Sequence, residues 1–164
     1  MVSRFANVQA VYSSPLERAQ ETARPIALSM GMEVRTEDDL NECDFGEWTG
    51  AELEKLMRLD SWGTVQKWPS GWRFPGGESF QEMQARMVAC VARLAERHKE
   101  GALVAVSHAD PIKAVAAHAM GVHLDLFQRL VVSPASVTAI SFSSHGPSVL
   151  AVNGVTGLDG LVTN

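Results

Sequence analysis

Ala102-Leu103-Val104-Ala105-Val106 is a continuous apolar run, closed by Gly101 on one side and by Ser107-His108 on the other. It is too short for a helix and shows no alternation, which is the pattern of a strand covered on both faces in a parallel sheet. The segment before it, from about Ser79 to Lys99, has the other periodicity. Phe80, Met83, Met87, Val91 and Leu94 recur at helical spacing, and Ser79 with Glu82 forms a capping-box pattern at the start. A long amphipathic helix leading into a doubly covered strand places the chain in the α/β class.

The same alternation runs through the rest of the chain. Gln9 to Tyr12, with Val8, reads as a strand. Ser14, Pro15 and Glu17 read as an N-cap, a first helical proline and an early acid, so a helix should start there and end at Gly31, with a kink or break at Pro25. Gly50 to Leu59 reads as a second helix carrying Leu53, Leu56, Met57 and Leu59. Trp62 to Gly77, rich in Trp, Pro and Gly, reads as an ordered loop or lid. Asp110-Pro111 should cap a helix that runs to Gly121, and Leu124 to Leu130 adds a short helical piece. Val137 to Phe142 and Val149 to Val152 flank His145-Gly146-Pro147 and read as a hairpin. No repeat or linker divides the chain, so residues 1–153 are expected to form a single domain and 154–164 a flexible tail.

Composition narrows the partners. The net charge of −5 argues against nucleic acid, which recruits an excess of Lys and Arg. No apolar stretch approaches membrane-spanning length, and the opening residues lack the apolar core of a signal peptide. Cys43 and Cys90 are far apart in no metal-like spacing. They read as two reduced thiols, with a cytoplasmic location expected. The five histidines, His98, His108, His118, His123 and His145, form no metal motif, so no cofactor is expected.

In a parallel sheet, ligands bind beyond the carboxyl ends of the strands. Two loops therefore matter. One carries Ser13, Ser14 and Arg18, the other Ser107, His108 and Asp110, and each leads into a helix N-terminus that favours an anion. Arg18 offers a permanently charged fork suited to phosphate oxygens, and His108 can donate a hydrogen bond or act as acid or base. A phosphate pocket is one reading. Acyl transfer by Ser107, His108 and Asp110 is another, although no G-x-S-x-G elbow is present.

The residues carry a resemblance beyond this. Ser13-Ser14-Pro15-Leu16-Glu17-Arg18-Ala19-Gln20-Glu21-Thr22-Ala23 resembles the SSPLxRAxxTA segment of histidine phosphatases, the phosphoglycerate-mutase-like superfamily. Leu40-Asn41-Glu42-Cys43-Asp44-Phe45-Gly46-Glu47-Trp48-Thr49-Gly50 resembles their LxExxFGxWEG segment. Pro75-Gly76-Gly77-Glu78-Ser79 with Arg86 resembles their PGGES…R stretch, and Val104-Ala105-Val106-Ser107-His108 their VVSH motif. Asn153 stands where the family often has Asn after its last strand. The resemblance implies a three-layer α/β fold, with a largely parallel sheet and helices on both faces. It also implies phosphoryl transfer through a phosphohistidine without a metal. By the same resemblance, Arg18 binds phosphate, Glu42 is the acid/base, His108 is the second pocket histidine, which stabilises and does not attack, and Ser14 lies near the pocket floor.

The family opens with a strand ending in Arg-His-Gly, whose histidine is the nucleophile, and that string is absent here. Ser144-His145-Gly146 is the nearest string and falls in the expected hairpin. Ala109 replaces the usual Gly after the second histidine. The resemblance therefore implies a domain without its first strand and most of its first helix. Its strand edges would be open on both sides of that position, so the chain is expected to be poorly stable alone, to rearrange, or to pair with a neighbouring copy as a homo-oligomer. A phosphomonoesterase or phosphomutase is implied, inactive as given. The alternative is a non-catalytic protein that binds a small phosphorylated metabolite or phosphate. Within the enzyme class a phosphatase is favoured, because Glu42 to Gly77 is short and poor in Lys and Arg for a second phosphate site.

Overall fold

The computed structural model describes residues 7–155. Strand β1 (Val8–Ser13) leads into helix α1 (Glu17–Ser29) and the short strand β2 (Val34–Thr36). Two small helices, α2 (Leu53–Leu56) and α3 (Trp62–Lys67), precede the long α4 (Phe80–Arg97). Strand β3 (Ala102–Val106), helix α5 (Ala109–Ala119) and the hairpin β4 (Val137–Ser143)–β5 (Gly146–Gly154) follow. The central sheet has the order β2-β1-β3, with both pairings parallel. Val11, Ala23 and Ala27 pack on one face, bringing α1 against β1. Ala10 and Tyr12 point to the other face, onto Met87, Cys90 and Leu94 of α4 and Val115 of α5. The structure thus has helices on both faces of a parallel sheet, as the sequence implies.

Helix α4 forms where the sequence places it. Ser79 and Glu82 make a complete capping box, satisfying two orphan donors at the helix start. Its buried stripe is Phe80, Met83, Met87, Cys90 and Leu94, with Cys90 covered more completely than Val91. Phe80 meets Phe74 and Phe127 edge-on at ring separations of 5.2 and 5.1 Å, the geometry ring quadrupoles prefer.

Several expectations are corrected. The first residue of α1 is Glu17, and Leu16, not Ser14, occupies the N-cap without a side-chain bond. The Ser14 hydroxyl is engaged elsewhere. Pro25 lies inside α1 and does not end it. It removes one donor, toward the Glu21 carbonyl, while buried Ala19, Ala23 and Ala27 hold the helix on the sheet. The expected helix over Gly50–Leu59 shrinks to the 4 residues of α2, because its apolar side chains find no core: Leu53 is 60% exposed and Met57 55%. The Trp62–Gly77 stretch holds α3 and a 3-10 turn at Pro69–Gly71. Helix α5 is capped at His108, and Asp110 lies within its first turn.

The clearest departure concerns β3. It is not covered on both faces: Ala105 is exposed and its neighbours are only half-buried. Among the described residues β3 pairs with β1 alone, and β4–β5 forms a separate two-stranded sheet. Leu103 of β3 and Ile140 of β4 pack against the same core cluster, so the hairpin lies alongside the sheet without hydrogen-bonding to it. Near the start of β4, Ser136 Oγ and Thr138 Oγ1 are buried without a partner among the described residues. The tail beyond residue 155 lies outside the described residues.

Candidate functional site

The carboxyl ends of β1 and β3 lie side by side: Ser13 is in register with Val106, and Ser14 N–H donates to Val106 O at 2.9 Å. This brings the two loops singled out in the sequence together. Ser14 and His108 are both buried, and His108 Nε2 lies 2.8 Å from Ser14 Oγ. Ser14 Oγ also donates to Asn41 Oδ1 at 3.2 Å and accepts from Leu16 N–H at 3.3 Å. The Asn41 oxygen is fixed by the Glu42 N–H, 3.0 Å away. With the one hydroxyl proton directed at Asn41, His108 Nε2 is the donor in its bond to Ser14. Burial, then the charges of Arg18 and Arg86, push the His108 pKa down to about 4, so the ring is neutral at ordinary pH.

Glu42 stands on the segment that follows Asn41. Burial is the main cause that raises its pKa to about 7, and the Asp110 charge adds to it. The Cys43 N–H, 3.0 Å from Glu42 Oε1, and the charges of Arg18 and Lys113 act in the other direction. Arg18 is exposed at the start of α1 and makes no ion pair among the described residues. Its charge acts on both His108 and Glu42. Ser14 and His108 are thus in contact, Asn41 ties Ser14 to the segment that carries Glu42, and the charge of Arg18 bears on both His108 and Glu42.

What holds Glu42 there was not read from the sequence. Arg86 on α4 donates to the backbone oxygens of Asp39 at 2.7 Å, Asn41 at 3.1 Å and Glu42 at 3.3 Å. It also pairs with Glu78 at 2.6 Å. A guanidinium fork alone can serve three carbonyls and a carboxylate at once. The loop beyond Glu42 is fastened to the Pro75–Glu78 stretch through Glu47 N–H to Pro75 O at 2.9 Å and Glu78 N–H to Asp44 O at 3.0 Å. The approach requires Gly46, at φ +53°, where a Cβ would lie 2.1 Å from Pro75 O. The signal available in sequence was the PGGES…R block itself, whose arginine and glycines serve the loop that carries Glu42.

Other candidates are not brought together. Ser107 Oγ donates to Leu40 O at 2.7 Å and Asp110 pairs with Lys113 at 3.2 Å, so no Ser107–His108–Asp110 relay is assembled. His145 sits exposed in the β4–β5 turn. Asn153 adopts φ +57° and accepts from Ser133 N–H at 2.7 Å, a bond that closes a loop. Both thiols are buried and free, and burial pushes each upward, Cys90 to about 11. Glu37, Asp39 and Cys90 approach one another, but Arg93 pairs with both carboxylates, at 2.9 and 3.1 Å. Clefts of about 570 and 290 Å³ lie elsewhere, without Arg18, Glu42 or His108 in their walls.

The histidine phosphatase superfamily (branch 1) profile matches residues 2–154. The chain belongs to this superfamily. A bifunctional protein of Mycobacterium tuberculosis is 30% identical over 158 residues, which is 95% of this chain and 43% of that protein. The chain thus spans less than half the length of that relative. Phosphoserine phosphatase 1 of Hydrogenobacter thermophilus is 30% identical over 90% of this chain and 71% of its own length. The Bacillus stearothermophilus protein YhfR superposes with a TM-score of 0.84 at 23% identity, covering 91% of this chain and 75% of YhfR. As a member of this superfamily the chain has an α/β architecture of parallel strands and flanking helices. Among its described residues, no second imidazole stands beside His108. His98 is bonded to Tyr12 and Gln9, His123 to Asp125, and His118 lines the larger cleft.

Proposed function

We propose that Ser14, Arg18, Glu42 and His108 form the phosphate-binding part of a phosphomonoesterase site that takes a small phosphorylated metabolite. The observation that carries this reading is the His108 Nε2–Ser14 Oγ contact of 2.8 Å, which holds a neutral imidazole within the field of Arg18. The ring can turn its N–H from Ser14 to a phosphate oxygen, and Arg18 supplies the charge to hold the anion. Glu42, with a pKa of about 7, retains a proton to give to a leaving oxygen near neutral pH. Hydrolysis is favoured over a mutase because the segment from Glu42 to Gly77 is short and its only cations are Lys55, Arg58, Lys67 and Arg73, of which Lys55 is paired with Glu52 and Arg73 with Glu82.

The second reading, a phospho-ligand-binding protein without turnover, is favoured by one observation: among the described residues no imidazole faces His108 to act as nucleophile. The chain as given is proposed to bind phosphate without hydrolysing esters, and to gain order or partners by pairing the edge of β3 that is open among the described residues with a neighbouring strand. Hydrolysis of p-nitrophenyl phosphate by the purified chain, with His108→Ala as control, tests this. The expected result is no turnover above the control. Turnover that vanishes in His108→Ala would make His108 the nucleophile and overturn the assignment of roles.

A further inference from the structure

Tyr12, His98, Arg35 and Arg97 meet on the face of the sheet that carries α4, and none shares a hydrogen bond with Arg18, Glu42 or His108. Their bonds fix every proton. Gln9 Oε1 lies 3.1 Å from His98 Nδ1 and can only accept, so Nδ1 carries the hydrogen. His98 Nε2 is then an acceptor, and the Tyr12 hydroxyl, 3.0 Å away, donates to it. The phenol oxygen is left to accept, and it does so from Arg35 Nη1 at 3.4 Å and from Arg97 Nη1 at 3.5 Å.

Two guanidinium groups therefore converge on one neutral oxygen. Arg35 also lies over the Tyr12 ring, 5.7 Å from its centroid. Both arginines are exposed, and each spends one N–H here out of the five it carries. Among the described residues neither pairs with a carboxylate, although acids outnumber bases and the net charge is −5. Burial and then these two positive charges hold His98 below its ordinary pKa. Burial alone would raise the Tyr12 phenol, and the bonds from Arg97 and Arg35 more than offset it. Like charges held this close without an anion between them repel, and an oxyanion bridging their free N–H groups removes that cost. A cleft of about 290 Å³ opens beside Arg35, lined also by Gln9, Ala10, Met32, Glu33 and Val34; the Glu33 carboxylate makes no ion pair with either arginine and leaves the anion to the side where Arg35 and Arg97 meet.

We propose that Arg35 and Arg97, spaced by their shared bonds to Tyr12 and braced by His98, form a second oxyanion site that takes inorganic phosphate. The site is separate from the one containing Arg18, and its occupation does not depend on hydrolysis there. The ligand chemistry is the same as at the Arg18 site, so inorganic phosphate probes both sites in one titration.

Calorimetric titration of the intact chain with inorganic phosphate should show two binding events. Arg35→Gln/Arg97→Gln should weaken one at least tenfold and keep the other, and Arg18→Gln should do the reverse. Both arginines are exposed, so thermal unfolding of the double variant should match the parent. In the parent, phosphate should also move the His98 ring signal in proton NMR and raise its titration midpoint, because an anion nearby favours imidazolium. Phosphate binding unchanged in the double variant, or a His98 signal indifferent to phosphate, would overturn the proposal. Loss of both binding events in Arg18→Gln would overturn it as well, because the second site does not depend on Arg18.

Discussion

His108 Nε2 and Ser14 Oγ stand 2.8 Å apart and join the loops that follow β3 and β1. Both groups are buried, so each relies on the other for a hydrogen bond that water cannot supply. Ser14→Ala should strand the imidazole donor and the Leu16 N–H together. The expected loss is about 1–3 kcal/mol in urea denaturation, with phosphate binding weakened in parallel.

Arg86→Ala should cost more than a surface ion pair would. It leaves three backbone oxygens without their donor and Glu78 without its partner, with Arg86 22% and Glu78 17% exposed. A loss of about 2–4 kcal/mol follows for a partly buried charge left unpaired. Arg86→Lys should recover only part of it, because an ammonium cannot serve the carbonyls and the carboxylate at once. Denaturation midpoints of the three proteins check this ordering.

Stability should respond to pH through two groups of opposite sign. His108 falls from 6.5 to about 4 on folding, so its contribution is present above pH 6.5 and is lost as pH falls through 4. Glu42 rises from 4.5 to about 7, so its contribution is present below pH 4.5 and is lost as pH rises through 7. Glu42→Gln should flatten the decline toward neutral pH and, above it, exceed the parent in stability by about 1–3 kcal/mol. His108→Ala should flatten the acid side. Urea midpoints from pH 3.5 to 8.5 measure both slopes.

Among the described residues β3 pairs on one edge only, and an edge left open in this way should make the chain self-associate. Light scattering during gel filtration should show an apparent mass that rises with concentration, since an open strand edge is a template for pairing. Ala105→Lys, at the exposed position of β3, should reduce that rise. A stable, concentration-independent monomer would contradict the expectation.

Much of this was legible in the sequence, for identifiable reasons. Helix α4 was readable because its capping box and apolar stripe agree with each other and with its burial. The gathering of Ser14, Arg18 and His108 followed from strand-then-helix order alone, because parallel strands place their carboxyl ends at one rim. Three features resisted. The Ser14 side chain looked like a cap, but its hydroxyl bonds to Asn41 and His108 instead. Leu53, Leu56, Met57 and Leu59 look helical, but all except half-buried Leu56 are exposed, so only one turn forms. Ala102–Val106 reads as doubly covered, and its apolar character suits a neighbour on the edge that stands open. Arg86 stood out in the PGGES…R stretch together with its partner Glu78, but its positioning role did not, because the groups it holds around Glu42 are backbone oxygens, which carry no sequence signal.

The most direct test of the phosphate site is the dissociation constant of inorganic phosphate for the parent chain and for Arg18→Ala and His108→Ala, measured with Arg35 and Arg97 both changed to Gln so that only one site remains. Binding in the parent that weakens at least tenfold in each variant is the expected result. Binding that is absent in the parent, or equal in all three, would contradict the assignment of Arg18, Glu42 and His108 to a phosphate pocket.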